Sequence, residues 1–290
     1  MIIINLKNKI IVPIIKMIKA AVIGDPISHS LSPKIHQYFL KLYNIKGSYE
    51  AIKVTNYNLE QDIARLINLD YKGFNVTLPH KESVTNLCHH LSNSAKLIGA
   101  VNTILITKDK KIFGHNSDAQ GFIDNIKYHF NSFSFKDKNA FIIGAGGAAR
   151  AVIYGLIKEG CKIYLTNRDE IRAQKLINDF NSNITLYSKS DFEKNLNKSD
   201  ILVNASSLGM ENMPELQINL NNLNKNSLVT DIVYKPLMTN FLINAKNNGN
   251  NIVTGIGMLL FQALIGFEMW YDKKITINKN SYELIINDLI

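Results

Sequence analysis

At 290 residues the chain exceeds what one core ordinarily organises, and 46% hydrophobic residues supply enough apolar surface for two folded units. A net charge of +9 suits an anionic small molecule, but the lysines are scattered among asparagines and isoleucines and form no basic stripe, which argues against nucleic acid as a partner. Two distant cysteines, Cys88 and Cys161, make no disulfide framework and point to a reducing, cytoplasmic setting; Cys88-His89-His90 has no evident fourth ligand for structural zinc, so no metal is expected.

Residues 1–16 are apolar, yet Lys7, Lys9, Pro13 and Lys16 break every apolar run well short of the ~18 residues a membrane span needs. They lack a small-residue cleavage site and read as an extension ahead of the first strand, with no membrane association. From Met17 the periodicity alternates. Strands are expected at Ala20–Gly24, Tyr49–Val54 and Gly73–Val76, and helices at Pro33–Leu42, Leu59–Ile67 and Pro79–Leu87. Such alternation predicts an α/β domain with a largely parallel sheet. A second α/β run starts at Asn139, with a strand to Ile143, a glycine loop, a helix to about Glu159, a strand at Lys162–Thr166 and a helix to about Phe180. Further strands are expected at Ile201–Asn204 and Leu228–Val233. The stretch from Gly255 to Trp270 reads as one amphipathic helix with an apolar face of Met258, Leu259, Phe261, Leu264, Ile265 and Met269.

Gly144-Ala145-Gly146-Gly147-Ala148-Ala149 lies between an apolar strand and a helix, the context in which a glycine pattern becomes a dinucleotide fingerprint. Glycine permits the tight turn and the close approach of backbone to pyrophosphate, and the helix beginning near Ala148 presents N–H groups and a positive dipole end. Cofactor choice is read at the end of the next strand, Thr166-Asn167-Arg168-Asp169, with Arg172 one turn on. An amide and a guanidinium there suit the 2′-phosphate of NADP; Asp169 is a carboxylate that would repel that phosphate or pair with an arginine.

Lys81 follows the strand and proline of Asn75-Val76-Thr77-Leu78-Pro79-His80-Lys81, and Asp118 closes a later strand in Asn116-Ser117-Asp118, so both converge at a sheet edge facing the glycine loop. A lysine held by an aspartate can donate a proton to a carbonyl that is becoming an alcohol. A lone lysine in such a place is otherwise a solvated side chain.

The whole set of motifs decides between these readings. From about Lys19 to Trp270 the chain resembles the shikimate dehydrogenase family, through Gly24-Asp25-Pro26-Ile27-Ser28-His29-Ser30-Leu31-Ser32-Pro33, Asn75–Lys81, Gly99-Ala100-Val101-Asn102-Thr103, Asn116–Asp118, the glycine loop, Asn167-Arg168, Asn204-Ala205-Ser206-Ser207-Leu208-Gly209-Met210, Asp231-Ile232-Val233-Tyr234 and Gly255–Gln262. The resemblance implies two α/β domains separated by a cleft: a substrate domain of residues 1–118 and 255–290, and a Rossmann-type NADP-binding domain of residues 119–254. It implies reversible NADP-linked reduction of 3-dehydroshikimate to shikimate, a step toward chorismate and the aromatic amino acids, in a monomer or homodimer. Lys81 and Asp118 would be the catalytic pair. Ser30 and Ser32 would hold the substrate carboxylate, with Asn75, Thr77, Asn102, Tyr234 and Gln262 around its hydroxyls and ring. Gly144, Ala145, Gly146, Gly147, Ala148, Asn167, Arg168, Arg172, Ala205, Ser206, Gly255 and Met258 would hold the cofactor.

Plainer readings stand beside several of these. One of Ser30 and Ser32 would serve as a helix N-cap, Asn102 would satisfy a turn, Gln262 would be an ordinary helix residue, and Tyr234 would line the cleft structurally. His29, His80 and His115 lie near the site without being needed as acids. Ser117 stands where threonine is usual in the family and keeps the hydroxyl, while Asp169 replaces a common threonine and bears on cofactor preference. Two rivals share the fold: an NAD-using quinate/shikimate dehydrogenase, and a catalytically inactive ligand sensor, against which retention of Lys81 and Asp118 argues.

Overall fold

The computed structural model describes residues 17–180 and 183–289; the expected extension over 1–16 lies outside the described residues. The first unit runs β1 (Ile18–Gly24), α1 (Ser32–Leu42), β2 (Gly47–Lys53), α2 (Leu59–Asn68), β3 (Tyr71–Val76), β4 (His90–Leu91), α3 (Asn93–Ile98), β5 (Thr103–Ile106) and β6 (Ile112–His115). Its sheet has the order β2-β1-β3-β5-β6-β4. The expectation of a largely parallel sheet needs correcting: β1 pairs parallel with β2 and β3, but β5 runs antiparallel to both β3 and β6. The short connection from β5 to β6 leaves no room for a crossover helix, so that pair closes as a hairpin.

A second correction concerns Pro79–Leu87, where the expected helix is replaced by turns and a single 3₁₀ stretch at Ser83–Leu87. The Lys81 carbonyl accepts from the Val101 N–H at 2.7 Å, so a neighbouring segment takes the acceptor that an α-helix would use four residues on. Asp118 likewise does not close a strand. β6 ends at His115, and Asp118 is the first residue of α4 (Asp118–His129). The Asn116 Oδ1 accepts from the N–H groups of Asp118 and Ala119, which turns the chain directly from strand into helix.

The second unit contains β7 (Asn139–Ile143), α5 (Gly147–Lys158), β8 (Lys162–Thr166), α6 (Glu170–Phe180), β9 (Ile184–Leu186), α7 (Lys189–Lys194), β10 (Ile201–Asn204), β11 (Leu228–Asp231), α8 (Asn240–Asn247) and β12 (Asn251–Val253). Every pair in its sheet is parallel, in the order β12-β11-β10-β7-β8-β9. Counted within the unit this is the doubly wound 3-2-1-4-5-6 arrangement, whose order reverses between β7 and β10. Ligands bind at the carboxyl ends of the strands beside such a reversal.

The chain closes with α9 (Ile256–Tyr271) and α10 (Lys279–Leu289). The apolar face expected for α9 is largely misassigned: Leu259, Phe261, Leu264, Ile265 and Met269 are only half-buried, whereas Leu260, Ala263, Phe267, Trp270 and Tyr271 are buried. The helix is apolar almost all round, so its pattern cannot tell which side meets the sheet. That buried side packs with Ile35 and Phe39 of α1, Ala20 and Val22 of β1, and Ile285 and Leu289 of α10. Each aliphatic side chain so buried contributes about 1.5–3 kcal/mol. Gly73 in β3 makes the docking possible: a Cβ there would lie 2.2 Å from Trp270 Nε1, which donates to the Ile104 carbonyl at 2.8 Å. α4 instead contributes Phe122, Ile123 and Ile126 to the core beneath β7, β8 and β10.

Candidate active site

Lys81 sits in the turn after β3, and Asp118 caps the cleft from the first turn of α4, where the positive end of the helix dipole favours a carboxylate. Lys81 Nζ donates to Asp118 Oδ2 at 2.5 Å, with side chains only 16% and 7% exposed. The other carboxylate oxygen accepts from Asn102 Nδ2 at 2.8 Å. Asn102 Oδ1 in turn accepts from the Ser117 N–H at 2.8 Å and the Thr103 hydroxyl at 3.0 Å, so the amide's orientation is set by fixed donors. Asn102 therefore braces the turn into α4, as its plainer reading has it, and also orients Asp118, a role the sequence did not announce.

A pocket of about 130 Å³ opens on this pair. All nine residues expected in catalysis and substrate binding line it: Lys81 and Asp118, Ser30 and Ser32 from the loop into α1, Asn75 and Thr77 from β3 and its end, Asn102, Tyr234 and Gln262. Neither serine caps α1, whose N-cap position is Leu31; the Ser30 hydroxyl instead accepts from the Ser32 N–H at 3.3 Å. Asn75 faces the pocket with its amide already engaged, accepting from the Tyr49 hydroxyl at 2.6 Å and donating to the Asn102 carbonyl at 3.1 Å. Gln262 is buried and its Oε1 lies 3.4 Å from both Asn102 Nδ2 and the Ser117 hydroxyl. Burial pushes the Tyr234 phenol above its ordinary value. None of the three nearby histidines lines the pocket: His80 is buried against the Val54 carbonyl, and His115 bonds Ser92.

The same pocket is walled from the second unit by Ala148, and from the start of α9 by Gly255 and Met258. Gly147 lies so near that a Cβ on it would sit 3.4 Å from Lys81 Cβ. Gly144 has φ +113° and its missing Cβ would press on the Ala205 carbonyl and Ser206 N at 3.0 Å, so the loops after β7 and β10 meet there. Ala145 and Ala205 are buried, and the Ser206 hydroxyl donates to Asn204 Oδ1 within its own loop.

These features fit a dinucleotide. A Cβ on Gly146 would meet only the Arg172 guanidinium, at 3.7 Å, so the loop surface is open to a ligand, and no side chain caps the first turn of α5. Asn167, Arg168 and Arg172 are not in the pocket; they stand at the end of β8 and the start of α6, where Arg168 is exposed. Asp169 is engaged at the α6 N-terminus, with Oδ1 accepting from the Arg172 N–H at 3.0 Å. Arg172 reaches over the cleft to Glu82, with Nη2 and Oε1 2.7 Å apart.

Two family models match the chain: the shikimate dehydrogenase substrate binding domain over residues 22–104, and shikimate / quinate 5-dehydrogenase over residues 126–233. The shikimate dehydrogenase (NADP(+)) of Dinoroseobacter shibae is 42% identical over 258 residues, covering 89% of this chain and 93% of its own. The chain belongs to the shikimate dehydrogenase family. Among solved structures, the Thermus thermophilus shikimate 5-dehydrogenase in complex with NADP(H) and shikimate superposes with a TM-score of 0.84 at 31% identity, covering 94% of this chain and 100% of that one. The quinate dehydrogenase of Corynebacterium glutamicum in complex with NAD also gives 0.84, at 25% identity, with 94% and 99% covered. The NADP(H) complex and the NAD complex are matched equally well, so likeness of overall backbone shape does not separate the two cofactors.

The sequence assigned no structural role to three residues around the family's site. Thr103 and Ser117 brace Asn102 from behind, and nothing in a β-strand threonine or a loop serine announces this. Arg150, buried in the first turns of α5, donates from Nε to the Ile98 carbonyl and pairs through Nη1 with Asp179 at 3.0 Å, thereby tying the nucleotide loop's helix to α3. A charged residue amid the alanines of Gly147–Val152 was a signal for it.

Proposed function

We propose that this chain catalyses the NADP-dependent, reversible reduction of 3-dehydroshikimate to shikimate, on the route to chorismate and the aromatic amino acids. The observation that carries this reading is one pocket shared by the Lys81–Asp118 pair and the first turn of the glycine-loop helix, through Ala148. In the reductive direction the Lys81 ammonium donates a proton to the carbonyl oxygen as it becomes a hydroxyl, and in the reverse direction the amine recovers it. Asp118 holds Nζ in place, and Asn102 holds Asp118, so the donor is positioned before substrate arrives. NADPH, when bound, would supply the hydride that the carbonyl carbon accepts. Ser30 and Ser32 donate hydroxyl hydrogen bonds to the substrate carboxylate, while Thr77, Gln262 and Tyr234 enclose its hydroxyls and ring, with Asn75 and Asn102 forming the floor. Such a set of neutral donors and one cation suits a small polyhydroxy acid.

The backbone N–H groups of Gly144–Ala148, with Ala205, Ser206, Gly255 and Met258, would hold the pyrophosphate and nicotinamide portions, and Asn167, Arg168 and Arg172 would address the adenosine phosphate. Engagement of Asp169 at the α6 N-terminus leaves the guanidinium groups to decide the cofactor and favours NADP over NAD. We divide the chain into a substrate unit, residues 1–118 with 255–290, and a nucleotide unit, residues 119–254. The chain is expected to act as a monomer or a homodimer. The free thiols Cys88 and Cys161 suit the cytoplasm, and no helix among the described residues is long and apolar enough to cross a membrane. Absorbance at the nicotinamide band, with shikimate and each oxidised cofactor in turn, tests the reading: reduction of NADP faster than NAD is expected, and no reduction of either would sink it.

A further inference from the structure

Arg172 and Glu82 form an ion pair that crosses the cleft. Glu82 follows the catalytic Lys81 on the substrate side, and Arg172 projects from the first turn of α6 on the nucleotide side. Two features set this contact apart from an ordinary surface pair. The Arg172 guanidinium lies over the glycine loop, with Nη2 3.7 Å from where a Gly146 Cβ would be. Glu82 lies there too, with Cγ 3.8 Å from the position of a Gly147 Cβ, so its carboxylate stands at the uncapped N-terminus of α5. That end of the helix attracts anions, and a carboxylate already occupies its neighbourhood.

Building on the NADP-linked reading above, we infer that Glu82 is a cofactor-selectivity residue: in the nucleotide-free chain it holds Arg172 across the cleft, and a phosphate that recruits Arg172 must displace it. The exchange swaps a singly charged carboxylate for a phosphate monoester of about −1.5 to −2 charges that accepts the guanidinium fork bidentately, so the incoming group wins. The pair is half exposed, with side chains 51% and 45% accessible, and exposed pairs are weak, so the exchange reduces affinity by only a few-fold. NAD has no 2′-phosphate with which to recruit Arg172. Glu82 therefore weakens NADP binding more than NAD binding.

Fluorescence titration of the full chain with NADPH and with NADH, without substrate, tests this. Glu82→Gln should tighten NADPH by ~2–5-fold more than it tightens NADH, about the worth of one exposed ion pair. In an Arg172→Ala background the same substitution should shift NADPH and NADH alike, because the exchange needs the guanidinium. An equal effect on both nucleotides in the presence of Arg172, or weaker NADPH binding, would overturn the inference, the latter by making Glu82 a support for Arg172 and not its competitor. Wild-type chain that binds neither nucleotide would instead overturn the NADP-linked reading itself, and the inference with it. Glu82→Ala provides a second variant without a hydrogen-bonding side chain, and it is expected to reproduce the Gln result.

Discussion

Two buried carboxylates, Asp118 beside the pocket and Asp231 at the end of β11, are satisfied in opposite ways. Asp118, at the floor of the pocket, is met by a cation on one oxygen and an amide on the other. Asp231, at the end of β11, receives only neutral donors: Asn204 Nδ2 at 3.0 Å, the Val233 N–H at 2.9 Å and the Thr239 hydroxyl at 2.8 Å. Burial accordingly pushes Asp231 up to about 6, against the pull of those three hydrogen bonds. Hydrogen bonds alone clamp the loops after β10 and β11 together, whereas an ion pair keeps charge inside the pocket. The same side chain thus serves as a clamp in one unit and as the partner of a buried cation in the other.

Removing the cation is the sharpest way to break that comparison. Lys81→Ala strips Asp118 of its charged partner and should lower turnover by ~10²–10⁴, the usual worth of a positioned acid, while leaving the NADPH dissociation constant nearly unchanged. Near-normal turnover in steady-state assays would remove Lys81 from the role proposed for it.

Asp231→Asn probes the other side. The folded carboxyl titrates near 6 and the unfolded one near 3.8, so between those values the folded chain holds the extra proton and this group's contribution to stability falls as pH rises. Wild type should therefore lose about 1–3 kcal/mol relative to Asp231→Asn between pH 4 and pH 7, measured by urea unfolding. His36 tilts the balance the other way. It is buried and stacked on Tyr49 with ring centroids 3.9 Å apart, and burial pushes it down to about 3 from 6.5. Its contribution is complete above pH 6.5 and is lost as pH falls toward 3, so His36→Phe should leave the Asp231 slope exposed as a steeper decline from pH 4 to 6. A difference between the two proteins that does not vary with pH would show that His36 does not titrate on unfolding in this range.

Smaller effects separate the two walls of the cleft. Arg168→Ala should erode the preference for NADP over NAD by about tenfold, through loss of a charge-assisted contact, and unchanged preference would move the phosphate site to Arg172 alone. Ser30→Ala and Ser32→Ala should each raise the KM for shikimate by ~3–10-fold with kcat little altered, because they act on the carboxylate and not on the reacting carbon. A fall in melting temperature with unchanged kinetics would return these serines to a purely structural part.

Residue types and their order were enough to read four of the six strands of the second unit, since an apolar run bounded by Gly144, Asn167 or Asn204 needs no distant partner to be recognised, whereas the three-residue edge strands β9 and β12 are too short to show a pattern. The lysine and aspartate of the pocket were legible as well, though only in the company of the other motifs. What the order of residues could not decide was every feature that depends on a remote acceptor or donor. The Lys81 carbonyl bonds Val101 and so denies the helix expected after Pro79; Asn116 starts α4 at Asp118 and not beyond it; β5 turns antiparallel because its partner strand follows at once. In α9, apolar on nearly every side, the choice of buried face rests on Trp270 reaching Ile104 past Gly73, and in the nucleotide cradle the placing of Arg172 rests on Glu82, ninety positions earlier in the chain. Local propensity and period specify elements because they sum over adjacent residues; the meeting of side chains from distant segments is a matter of packing, and only the folded chain determines it.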